Sequence, residues 1–125
     1  MRLLPDSNAL HWFVIDPDIL REPVFAAIDD PDNDVYFSGV NFWELAIKRA
    51  KGKLTFDPQR MLDVAKQDFE ELPITTRHGL EAAALPLHHA DPFDRMLIAQ
   101  ARLEGLTLVA RDQQFWQYRV LLMEA

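Results

Sequence analysis

The chain has no cysteine, so it can hold no disulfide and no thiolate metal site. A zinc site would have to come from its four histidines and its carboxylates, whereas a hard, oxygen-liganded metal stays open. It also lacks any apolar run long enough to cross a bilayer. The opening apolar residues meet Pro5 and Asp6 too early for a signal peptide, so a soluble, cytoplasmic protein is expected. Positive charge is scarce: 13 Lys and Arg against 20 Asp and Glu give a net charge of −7. That balance argues against broad attraction to nucleic acid, which rests on neutralising phosphates. No segment departs from the rest in composition, and residues 1–125 are read as a single domain. What is present is a globular mixture, 49% hydrophobic and 26% charged, able to bury a core yet small enough to favour self-association.

Hydrophobic periodicity alternates strands with helices. Leu3 and Leu4, cut short by Pro5-Asp6-Ser7, read as a buried strand, and Ala9, Leu10, Trp12 and Phe13 begin a helix. Apolar positions from Asp18 to Ile28 have helical spacing, which Asp29-Asp30-Pro31-Asp32-Asn33 breaks into a loop. Val35-Tyr36-Phe37 follows as a strand, and Ser38 caps a helix through Phe42–Ile47 that Lys51-Gly52-Lys53 closes. A helix is expected from Pro58 to Glu71, a short edge strand at Leu72-Pro73-Ile74 and a small helix from Thr76 to Leu85. After the loop Pro86–Ala90, Asp91-Pro92 opens a helix that reaches Glu104-Gly105. Leu106–Val109 is the clearest strand, Asp112 begins a helical turn through Phe115 and Trp116, and Val120–Leu122 is the last strand. The alternation predicts an α/β fold whose parallel sheet is covered on both faces.

In such sheets the functional crevice lies beyond the carboxyl ends of the strands, where strand order reverses. Asp6 follows the first strand, Asp112 follows Leu106–Val109, Asp94 sits in the first turn of the helix leading into that strand, and Glu44 lies in the helix after the second. Separate segments can thus bring four carboxylates to one edge. Unpaired carboxylates repel and resist desolvation in a small pocket, a difficulty that a divalent cation removes. Oxygen-only ligands suit Mg²⁺ or Mn²⁺, and phosphodiester hydrolysis uses such an ion to activate water and offset charge on the phosphate. Setting those four acids aside as ligands leaves −3 from the −7 total. Lys48, Arg49, Lys51 and Lys53, with Arg77, Arg95 and Arg111, can then form a local positive rim for RNA.

Each residue also has a plain structural reading. Asp6 and Asp112 have the look of helix caps; Asp91 is an N-cap with Pro92 at the first helical position, and Asp94 a favourable carboxylate near the helix N-terminus. Glu44 is different, because it stands between Trp43 and Leu45 in the most apolar turn of its helix and has no cap to make. His88 and His89, adjacent in a Pro-bounded loop, read as surface residues and stay outside the site. The tryptophans and phenylalanines read as core or dimer interface, and Lys48–Lys53 as a solvated helix end that complements the dipole.

Taken together, Arg2–Leu10, Phe42–Lys48, Asp91–Ala101 and Leu106–Asp112, with Gly52-Lys53-Leu54 and the segment His88–Arg95, resemble the PIN-domain VapC toxins of bacterial toxin–antitoxin pairs. The blocks occur in that family's order over almost the whole chain. The resemblance implies a three-layer α/β/α sandwich, a nuclease site on Asp6, Glu44, Asp94 and Asp112, and Asp91 as the capping neighbour. It further implies RNA cleavage with Mg²⁺ or Mn²⁺, a homodimer, and a cognate VapB-like antitoxin whose tail covers the site, with operator DNA reached only through that antitoxin. Pro5, Asn8 and Ala110 stand where the family commonly has an aliphatic residue, a histidine, and a threonine or serine. The nearest alternative is a PIN-fold protein weak in catalysis that acts mainly as the binding partner in a repressor complex. A phosphoacceptor receiver domain would carry a further acid beside Asp6 and a lysine after the final strand; neither is present.

Overall fold

In a computed structural model covering residues 1–125, five strands and six helices follow one another as β1 Arg2–Pro5, α1 Ser7–Ile15, α2 Glu22–Asp29, β2 Asp34–Ser38, α3 Gly39–Ala50, α4 Pro58–Asp68, β3 Glu70–Leu72, α5 Thr76–Ala84, α6 Pro92–Glu104, β4 Thr107–Ala110 and β5 Leu121–Glu124. The strands pair in the order β3-β2-β1-β4-β5, every pair parallel. Strand order therefore runs outward in both directions from β1, and the crevice between β1 and β4 at their carboxyl ends is the switch point of the sheet.

Strand alternation assigns the core to two faces. Leu4, Leu108 and Ala110 meet Val40, Leu97, Ile98 and Ala101 on one side, while Leu3, Val35 and Val109 meet Ala9, Val24 and Ile28 on the other. Neighbouring residues of a single strand thus point into different layers, which gives the three-layer α/β/α sandwich. Leu3, Leu4, Leu108 and Val109 are fully buried, as befits central strands covered by helices on both sides.

Several expected boundaries move, each for an identifiable reason. The edge strand is Glu70–Leu72 rather than Leu72–Ile74, and α4 ends at Asp68 rather than Glu71. Pro73 has no N–H to give the ladder, so pairing stops before it. Glu70 and Glu71 look helical in sequence, but both are exposed on an edge strand, where charge is tolerated. The helix expected from Asp18 is divided: a 3₁₀ turn at Pro17–Ile19 is followed by extended Leu20 and Arg21, and α2 begins only at Glu22 with Pro23 in its first turn. The last strand begins at Leu121, one residue later than expected, and extends to Glu124.

For the tryptophans, the expectation of a core position also needs correction. Trp43 and Trp116 are 61% and 50% exposed, and Trp12 is only half-buried beneath the Arg111 guanidinium, 4.4 Å from its ring. Helical spacing locates a residue on a helix face but not on the face that the sheet covers. Trp43 lies on the outer side of α3, edge-on to Phe93 of α6 at 5.1 Å.

Candidate metal centre

Asp6 follows β1 directly, and its backbone N–H still donates to Val109 O of β4, pinning it to the switch point. Its carboxylate accepts from Ala9 N at 2.8 Å, so the expected cap exists. Glu44 is held across from it by Asn41, one turn earlier on α3. Asn41 completes a capping box with Ser38, accepting from Ser38 N at 2.7 Å, and its amide donates to Pro5 O and Ser7 Oγ, each at 3.3 Å. This buried link ties the start of α3 to the end of β1. Asp91 caps α6 by accepting from Phe93 N and Asp94 N, which leaves the Asp94 carboxylate with no backbone to serve. Asp112, exposed after β4, caps the 3₁₀ turn Gln113–Gln117 through Gln114 N.

These segments converge on a single cavity of about 270 Å³ lined by Asp6, Ser7, Asn8, Glu44, Lys48, His89, Asp91, Asp94, Asp112 and Phe115. All four acids named from sequence line it, and Lys48 is its one basic wall residue. Burial raises the Asp6 pKa to about 7; Asp94 and Glu44 push the same way, against the Ala9 N–H and Lys48. Burial likewise raises Asp94 to about 6, aided by Asp91 and Glu44 and opposed by His89. The Glu44 side chain is only 12% exposed, with Lys48 Nζ 3.9 Å away.

Sequence reasoning misplaced His89, Arg95 and Arg111. His89 is not a surface residue: it is 8% exposed, and its Nε2 lies 2.7 Å from Asp94 Oδ2 and 3.9 Å from Asp112 Oδ2, while His88 is indeed exposed. No spacing rule separates two adjacent histidines, so no signal was available. Lys48, expected both at a solvated helix end and in a positive rim, stands on the cavity wall one turn after Glu44. Arg95 belongs to no positive rim, since it is buried and donates to the carbonyls of Ala82, Leu85, Pro86 and His89. Arg111 is similarly occupied with Ala125 O and Ile19 O. Asn41 escaped notice altogether, although the Ser38–Asn41 spacing is that of a capping box.

The donor set fits a hard divalent cation. The carboxylates of Asp94 and Glu44 raise the proton affinity of Asp6, those of Asp91 and Glu44 raise that of Asp94, and Asp94 and Asp112 lie with the His89 ring in a group whose nitrogen and oxygen atoms come within 4.8 Å of one another.

The family profile described as PIN domain matches residues 3–121, and the chain belongs to that family. No curated protein sequence matches. Among solved structures, VapBC2 from Rickettsia felis, bound to a DNA fragment from their promoter, superposes with a TM-score of 0.77 at 16% identity, covering 100% of this chain and 99% of that one. FitAcB from Neisseria gonorrhoeae gives 0.69 at 21% identity, with 98% and 96% covered. VapBC-5 from Mycobacterium tuberculosis, a member of the VapBC family of toxin–antitoxin systems, gives 0.63 at 17% identity, with 99% and 98% covered.

Proposed function

We propose that the chain is a divalent-metal-dependent endoribonuclease, the toxin component of a VapBC-type pair. The observation that carries this reading is the convergence of Asp6, Glu44, Asp94 and Asp112 on one cavity at the switch point of the sheet. Mg²⁺, with Mn²⁺ as a substitute, would be held by these four carboxylates and would supply Lewis-acid charge for phosphodiester hydrolysis by water. Around it, Asn41 keeps α3 against β1, so that Glu44 and Asp6 face a common space. Lys48 offers the approaching phosphate a cationic contact in an otherwise acidic wall, which supports RNA binding despite the net charge of −7.

The rest of the reading concerns partners and place. A VapB-like antitoxin silences the chain and carries it to operator DNA, a reading supported by the VapBC complexes of the same fold. The exposed Trp43, Leu80 and Leu87 supply apolar surface for that partner or for a second copy in a homodimer. No helix is long and apolar enough to cross a membrane, in keeping with a cytoplasmic toxin.

The test is RNA cleavage by the purified chain free of antitoxin, with Mg²⁺, with Mn²⁺ and with chelator, alongside calorimetric titration with Mn²⁺. Glu44→Gln is expected to weaken metal binding and nearly eliminate cleavage. Metal binding without cleavage would favour the alternative of a repressor-complex partner weak in catalysis, and absence of both would remove the nuclease reading.

A further inference from the structure

We infer that His89 is a positioning residue that fixes the Asp94 carboxylate from a loop locked by Tyr118 and Arg95, and that it does not itself ligate metal. The inference rests on the reading of Asp94 as a metal ligand.

Both ring nitrogens of His89 are already engaged. Nδ1 faces the Asp91 backbone N–H at 3.4 Å and therefore accepts, which leaves Nε2 to carry the hydrogen and donate it to Asp94 Oδ2 at 2.7 Å. To reach a cation, Nε2 would have to abandon Asp94, and Asp112 Oδ2 at 3.9 Å is beyond hydrogen-bond range as a replacement. The ring is also held edge-on against Phe115, with centroids 5.7 Å apart. A carboxylate in the first turn of a helix with no backbone N–H to accept from can rotate freely, and an imidazole donor removes that freedom.

The donor is useful only if its own loop is rigid, and the residues around it answer that need. His89 N–H donates to the Tyr118 hydroxyl at 2.8 Å, and that hydroxyl donates to Pro86 O at 2.7 Å. The Arg95 guanidinium donates to Pro86 O and His89 O at 3.0 and 3.2 Å, and to Ala82 O and Leu85 O at 2.9 and 2.8 Å. It has no carboxylate partner; carbonyls at the negative end of α5 solvate its charge. A segment without helix or strand is thereby tied at both ends beside the cavity. Arg95 adjoins Asp94 on α6, so one helix supplies both the carboxylate and the anchor of the group that orients it.

Mn²⁺ affinity by calorimetry, together with kcat and KM for RNA cleavage, should be measured on the full chain and on His89→Ala, His89→Gln and Tyr118→Phe. His89→Ala should weaken Mn²⁺ binding about 10–100-fold and lower kcat with little change in KM. His89→Gln, whose amide can donate from near the Nε2 position, should recover most of the loss. Tyr118→Phe, which leaves the His89 and Asp94 side chains in place and removes only the hydroxyl that holds the His89 N–H and Pro86 O, should weaken binding several-fold without unfolding the chain. Parental Mn²⁺ affinity in His89→Ala, even with a lowered Tm, would overturn the inference alone. Equal damage in His89→Gln and His89→Ala, with Ni²⁺ binding lost more steeply than Mg²⁺ binding, would make His89 a ligand and also overturn it. If His89→Ala fails to fold, parental affinity in Tyr118→Phe has the same force. A parental chain that binds no Mn²⁺ would remove the ligand reading and the inference with it.

Discussion

Two regions of the molecule concentrate acids around a cavity, and they sit at opposite edges of the sheet. At the amino-terminal edge, Asp29, Asp30, Pro31 and Asn33 of the turn before β2 and Asp68 before β3 border a cavity of about 380 Å³. That is larger than the roughly 270 Å³ enclosed at the carboxyl edge. Yet its acids are exposed, and the one that makes a hydrogen bond spends it on the turn: Asp30 Oδ1 accepts from Asp32 N, while Asn33 links the N-terminal ammonium to Ala27 O. At the other edge Asp6 is buried, and it and Asp94 hold their protons well above the usual carboxylate range. Neither acid count nor cavity size marks a metal site. Desolvated carboxylates brought together from different elements, with no cation to answer them all, mark a candidate.

The largest effects should separate these regions outright. Asp94→Asn or Glu44→Gln should leave the chain folded and lower RNA cleavage by about 100-fold or more, since each removes a charge from the proposed ligand set at little cost in volume. Asp29→Asn and Asp30→Asn, made in the region of superficially similar chemistry, should cleave at the parental rate. If Asp30→Asn damaged cleavage as much as Asp94→Asn, the distinction drawn from burial would collapse.

The contrast also explains how much of the molecule is legible in its sequence. The fold can be read because Leu3-Leu4 and Leu108-Val109-Ala110 belong to central strands, covered on both faces, whose apolar runs have few alternatives, although β4 starts at Thr107, one residue later than expected, and ends at Ala110. Asp6, Asp94 and Asp112 can be put at the crevice because each follows a strand or stands in the first turn of a helix there, and Glu44 because its helix starts from the carboxyl end of β2, all properties of chain order. What cannot be read is orientation. Helical spacing gives Trp43 and Glu44 similar claims to burial, and only the packing of α3 against β1, fixed through Asn41, turns Trp43 out and Glu44 in. Nor does sequence distinguish His88 from His89, because the difference comes from Tyr118, 29 residues beyond His89. Edge strand β3 escapes for the opposite reason: an exposed strand places so weak a demand on its residues that two glutamates satisfy it.

A smaller effect, on stability, sharpens the comparison through pH. Asp6 ionises near 3.8 when free and at about 7 in the folded chain, so within that window the folded state holds a proton that the unfolded state has released. Its contribution therefore makes the metal-free protein lose stability as pH rises, by up to about 4 kcal/mol once the window is passed. Asp6→Asn keeps the cap on Ala9 N, because asparagine caps as well as aspartate, and abolishes the titration. The Tm advantage of Asp6→Asn over the parent should be small near about pH 4 and grow toward about pH 8. Saturating Mn²⁺ should narrow or reverse it, since only the parent has the carboxylate to bind it. A pH-independent gap would mean that Asp6 is an ordinary cap, like Asp30 in its turn.

The smallest effect is expected at the residue that belongs to both categories. Asp91 lines the acidic cavity, yet its Oδ1 is committed to Phe93 N at 2.8 Å and Asp94 N at 3.2 Å, as Asp30 Oδ1 is committed to Asp32 N in the turn. Its charge is the largest electrostatic contribution, after burial, to the raised pKa of Asp94. Asp91→Asn keeps both cap bonds and removes that repulsion, so Asp94 should ionise at lower pH, and cleavage near neutral pH should stay within about 3-fold of the parent. Asp91→Ala removes the cap itself and should cost about 1 kcal/mol in stability, with α6 fraying at the turn that carries Asp94. Thermal denaturation and cleavage assays on the two variants separate the roles: loss of cleavage in Asp91→Asn at parental stability would move Asp91 from the capping residues to the ligands, and the site would then hold five functional carboxylates rather than four.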